Sequence, residues 1–127
     1  MATARERMNG GHMSAYDAKG VEGGYSTVAA TGSAIGDAAL VSSMGSNCVV
    51  TAADGTKGVA VNGEIGDSYW LFNNSGSNLK VYPESTAAIC VVGTGLGSAG
   101  AALTVATYKT VILKKITTTQ WLAVTSA

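Results

Sequence analysis

From Tyr25 onward the chain is built from short runs of apolar and β-branched residues, each interrupted by Gly, Asn, Asp or Ser before it can grow long. An amphipathic helix needs apolar residues three and four apart over ten or more positions, whereas a strand needs only four to eight residues bounded by turn formers. The runs fit strands, at residues 26–30, 38–42, 48–52, 58–61, 68–73, 79–82, 88–92, 103–106, 110–116 and 120–125. A spacing of roughly ten residues predicts an all-β fold, a compact β-sandwich or β-barrel-like domain of short antiparallel strands over residues 25–127. The one competitor for a helix is residues 33–44, where Gly36 and the flanking Gly32 and Gly45 leave room for a single short helical turn.

The large side chains are concentrated in one place. Tyr69, Trp70, Phe72 and Tyr82 fall within Gly66-Asp67-Ser68-Tyr69-Trp70-Leu71-Phe72-Asn73-Asn74 and Leu79-Lys80-Val81-Tyr82-Pro83, so this stretch is expected to anchor the core. The residues between, 73–78, are turn formers and predict a hairpin-like unit. Strand alternation puts Tyr69 and Leu71 on one face and Trp70 and Phe72 on the other. One pair then belongs to the core and the other meets something outside, a second subunit in preference to a sugar. Tyr69, Trp70, Leu71, Phe72, Tyr82 and Trp121 are accordingly the candidates for core or self-association. A glycan platform of Tyr69, Trp70, Tyr82 and Trp121 is the competing use of the same rings.

Turn signals continue the pattern. Asp54-Gly55 lies between two apolar runs as a tight β-turn pair, Asn62-Gly63 repeats it, and Thr117-Thr118-Thr119 joins the last two strands. Pro83 cannot donate to a ladder and marks a strand end or edge. Residues 1–24 carry charges of both signs, several glycines and no periodicity, and are expected to form a flexible N-terminal arm that attaches to a partner.

Chemistry-bearing patterns are sparse. Gly95-Leu96-Gly97-Ser98-Ala99-Gly100 fits GxGxxG, but the following residues favour a strand over a helix and no acidic residue occurs after Glu84 to hold a ribose, so a glycine-rich loop is expected. Asp54, Glu64, Asp67 and Glu84 each adjoin a turn residue, where solvated carboxylates are ordinary. The single histidine, His12, lies in the arm, away from any serine–acid pair. No enzymatic activity and no cofactor are expected. Cys48 and Cys90 permit one disulfide; in a chain made in a reducing cytoplasm they are expected to be free, buried thiols. With no CxxC and one histidine, no metal site is expected.

Charge points the same way. Eight basic and eight acidic residues cancel, and the charged fraction of 13% is about half the roughly 25% of ordinary domains. Lys114 and Lys115 are adjacent on a strand and face opposite ways, so they form no basic patch and nucleic acid is not an expected partner. The start of the chain is no secretory signal and no apolar run would span a bilayer. Small core residues and seventeen glycines leave a lone domain under-equipped for stability, and self-association is the expected remedy.

The order of motifs over residues 58–127, from the GD-aromatic strand through Leu79-Lys80-Val81-Tyr82-Pro83 and Gly95-Leu96-Gly97 to Thr119-Gln120-Trp121, resembles a recurring β module of tailed-bacteriophage virion proteins. Residues 88–92 depart from it in being less polar after the isoleucine. The resemblance implies a small structural component without catalytic residues: a capsid decoration or cement protein or a head fibre, often trimeric, on the capsid surface of the virion. The major capsid protein is then the partner, and a tail-fibre or glycan-binding module is the alternative.

Overall fold

The computed structural model describes residues 25–41 and 47–127. The proposed arm, His12 and the last residues of the 33–44 segment lie outside them. Eleven strands follow in order: β1 (Tyr25–Ala29), β2 (Ala39–Leu40), β3 (Asn47–Thr51), β4 (Gly58–Ala60), β5 (Ser68–Asn73), β6 (Leu79–Tyr82), β7 (Ala88–Val91), β8 (Gly95–Leu96), β9 (Leu103–Val105), β10 (Thr110–Thr117) and β11 (Gln120–Thr125). The fold is all-β, as the spacing predicts, and only the short β8 lacks a counterpart among the expected strands. In the described part of residues 33–44 the chain makes a single turn, with Asp37 N and Ala38 N both donating to Ala34 O as in one turn of helix, and continues into β2 without forming a helix.

The strands form two mixed sheets, a seven-stranded one in the order β1-β3-β5-β10-β11-β7-β8 and a four-stranded one in the order β2-β4-β6-β9. Here the expectation of antiparallel hairpins is corrected. β1, β3 and β5 pair in parallel in the large sheet, and β2, β4 and β6 pair in parallel in the small one. The chain therefore coils, laying one strand in each sheet per turn. β5 and β6, read as a hairpin from their turn residues, lie in different sheets, as do β3 and β4 around Asp54-Gly55 and β4 and β5 around Asn62-Gly63.

The physical reason is that the same residues turn a corner as turn a hairpin. Asp54 Oδ1 accepts from the backbone N of Thr56 and of Lys57, both at 3.0 Å, while Ala52 and Gly55 adopt left-handed φ of 63° and 96°. Here this Asx-type turn carries the chain from the large sheet to the small one. The carboxylate is held down to a pKa of about 2, chiefly by the two backbone N–H bonds.

The coil ends where the strands reverse. β9 runs antiparallel to β6 and β10 antiparallel to β5, and β11 returns on β10 through the expected hairpin. β7 joins β11 in parallel and β8 closes that edge. The glycine-rich segment after β7 is anchored, with Gly97 N donating to Ile89 O at 2.9 Å and Gly100 N to Ala87 O at 2.8 Å.

Between the sheets lies one core. Register neighbours Cys48 and Leu71, and Val59 and Val81, stack one turn of the coil on the next, and Tyr69, Leu79, Val111, Leu113 and Trp121 complete the filling. Over the whole core, alanines, valines and Cys48 outnumber the larger side chains. At the close approach of β4 to β6, Gly58 leaves room for the Tyr82 ring, whose hydroxyl donates to Ser33 O at 3.1 Å across the outside of the small sheet.

Candidate functional site

Two features stand out: a polar staple inside the fold and an apolar face outside it. The staple begins with strand parity. On β10, Val111, Leu113 and Lys115 point inward, so Lys115 enters the core and is almost fully buried, while its neighbour Lys114 is exposed. A buried ammonium requires acceptors. Lys115 Nζ finds Glu84 Oε1 at 2.9 Å and Gly63 O at 2.7 Å, and lies 5.6 Å from the Trp121 ring centroid. Glu84 also accepts from Gly63 N at 3.0 Å and from Trp121 Nε1 at 2.7 Å.

Glu84 is thus no solvated turn carboxylate, as its neighbouring proline and serine suggest; its side chain is only 19% exposed. Burial pushes its pKa up, but the bonds from Lys115, Trp121 and Gly63 outweigh that and the net shift is downward. Beside it, Tyr69 packs on Trp121 with ring centroids 5.8 Å apart and donates its hydroxyl to Asn62 O at 2.6 Å. Burial, then the charges of Asp67 and Glu84, raise the Tyr69 pKa. These groups tie the corners before β5 and before β7 to the β10–β11 hairpin, and their bonds are spent on one another.

The outer face of the large sheet is different in kind. Trp70 of β5, Ile112 of β10 and Val124 of β11 are register neighbours across three strands and stand 51%, 38% and 49% exposed. Phe72 and Val49, another pair of neighbours, flank Trp70, and Leu122 lies opposite Lys114. Trp70, Thr110, Ile112, Val124, Thr125 and Ser126 line a groove of about 340 Å³. Exposed aromatic and aliphatic side chains in contiguous rows mark an interaction surface more often than do isolated ones.

Of the six residues singled out in the sequence, the structure therefore brings Tyr69, Leu71 and Trp121 into the core, with Trp70 exposed and Phe72 half-buried on the outer face. The alternation assigned to β5 holds. Tyr82 is apart from them on the other sheet, so the four rings of a glycan platform are not assembled on one surface. Both cysteines are free, but only Cys48 is buried; Cys90 is partly exposed because it points outward from β7. From sequence, Glu84 reads as a solvated turn carboxylate and Lys115 as half of an unpatched lysine pair, and nothing joins the two. Their signal was a lysine in phase with Val111 and Leu113, which calls for a carboxylate from elsewhere in the chain. Among the described residues no cluster of His, Cys, Asp and Glu could hold a metal ion, and no helix is long and apolar enough to cross a membrane.

Comparison of the chain with protein-family models, curated proteins and solved structures finds no match.

Proposed function

We propose that the protein is a non-enzymatic structural component of a tailed-bacteriophage virion, one that decorates or stabilises the capsid as a trimer. The observation that carries the assembly part of this reading is the row Trp70, Ile112 and Val124 on the outer face of the large sheet. Fully burying such a side chain is favourable by roughly 1.5–3 kcal/mol, and about half of that remains for a neighbouring subunit to supply at each of these half-exposed positions. The placement on the virion is supported by the motif order over residues 58–127, and the major capsid protein is the corresponding partner.

The polar groups fit a structural role. Lys115 and Trp121 donate to Glu84, and Tyr69 packs on Trp121 and donates to Asn62 O, so these groups hold corners together. The test is quantitative mass spectrometry of purified virions and of separated heads. High copy number on heads is expected. A protein confined to tails in low copy, with binding to cells or glycans, would instead identify a fibre module.

A further inference from the structure

Nearly every charged side chain among the described residues has a partner within the chain. Lys57 pairs with Asp54 and Lys115 with Glu84; Asp37 and Asp67 accept from backbone N–H groups; Lys80 donates to Thr104 and Lys109 to the carbonyl of Ala127. Two exposed side chains of opposite sign, Glu64 and Lys114, make no such bond among the described residues.

Their positions are specific. Lys114 is the one charge in the outward rows of the large sheet, beside Leu122 and opposite Ser68. Glu64 lies on the corner before β5, next to Ile65, which is 61% exposed. That corner is fixed: Asp67 Oδ2 accepts from Glu64 N at 2.8 Å, Asp67 N donates to Glu64 O, and Gly66 N donates to Lys115 O. The protein thus presents an apolar face bearing one cation, and a rigid knob made of an isoleucine with a carboxylate beside it.

We propose that these two surfaces meet between copies of this chain, with Ile65 of one subunit seated on the Trp70–Ile112–Val124 face of the next and Glu64 paired with Lys114 across the contact. The proposal rests on the reading of that face as an assembly surface and names its occupant. Opposite charges placed on two patches of one molecule select a copy of itself in a fixed register, and a contact between different patches can close into a ring. A scaffold protein docked on the same face would have no need of Glu64.

The test is charge reversal in the full chain, read by sedimentation equilibrium with circular dichroism as the control for folding. Glu64→Lys or Lys114→Glu alone should raise the dissociation constant of the oligomer about tenfold by setting like charges against each other. The double variant should restore association. If both single variants assemble like the wild type, or the double variant remains as weak as the singles, the pairing is wrong. Should Trp70→Ser still disrupt the oligomer in that case, the assembly face stands and only its register with Glu64 falls. A wild-type chain that is monomeric throughout would overturn both.

Discussion

Trp121 Nε1 donates to Glu84 Oε2 at 2.7 Å, joining the last strand to the corner between the two sheets. The other oxygen of Glu84 takes Lys115 and Gly63, so one carboxylate fixes three segments far apart in sequence. Its folded-state pKa is depressed, so it stabilises the fold above its unfolded pKa, about 4.3, and that contribution is lost as pH falls through the folded value. Glu84→Gln should lower stability at pH 7 by about 1.5–3 kcal/mol and flatten the loss of stability as pH falls below the unfolded pKa of a glutamate. Urea denaturation across that pH range checks both effects.

Gly58 is required by its surroundings. A Cβ there would lie 2.7 Å from Lys80 O and 2.7 Å from the Tyr82 ring. Gly58→Ala should cost about 1–3 kcal/mol. Adding Tyr82→Ala should fail to rescue it, because the carbonyl of the neighbouring strand remains in the way. Thermal melts of the single and double variants are the measurement.

Asn73 ends β5 fully buried, its Nδ2 donating to Ser77 O at 2.8 Å and to Val105 O and Ala106 O at 3.1 Å each. Its Oδ1 has no partner among the described residues. Asn73→Asp would set a carboxylate against three carbonyls and should destabilise the protein by about 3 kcal/mol or more. The introduced acid would have a raised pKa, so the variant should regain stability relative to wild type as pH falls and its protonated form again offers a donor. Comparing the two proteins at pH 7 and pH 4 tests the sign.

The cysteines should separate by reactivity. Cys48 is 2% exposed and burial raises its pKa, against a smaller opposing effect of the Ser26 hydrogen bond. Cys90 points out of β7. A thiol reagent at neutral pH should label Cys90 first and Cys48 only on unfolding, followed by mass spectrometry under non-reducing conditions. Equal labelling rates in the native protein would contradict the assignment.

What was legible in the sequence was local. Strand positions follow from short apolar runs, and the opposite facing of Trp70 and Tyr69 follows from alternation along β5. Pairing was not legible, because Asp54-Gly55 and Asn62-Gly63 supply turn geometry that serves a hairpin or an inter-sheet corner equally well. What decides is the tertiary gain of stacking Cys48 on Leu71 and Val59 on Val81, neighbours more than twenty residues apart. The Glu84–Lys115 pair was hidden for the same reason: the parity of Lys115 demands an acid, but nothing local says which.

The central claim is that the outer face of the large sheet is an assembly surface, and sedimentation equilibrium of the wild type beside Trp70→Ser tests it most directly. Trp70 is half-exposed in the single chain, so its replacement should leave the fold intact, with melting lowered only by the association that is lost. The account predicts a trimer for the wild type at micromolar concentration and a shift to monomer for Trp70→Ser. A folded wild-type monomer, or a variant that assembles as tightly as the wild type, would contradict it.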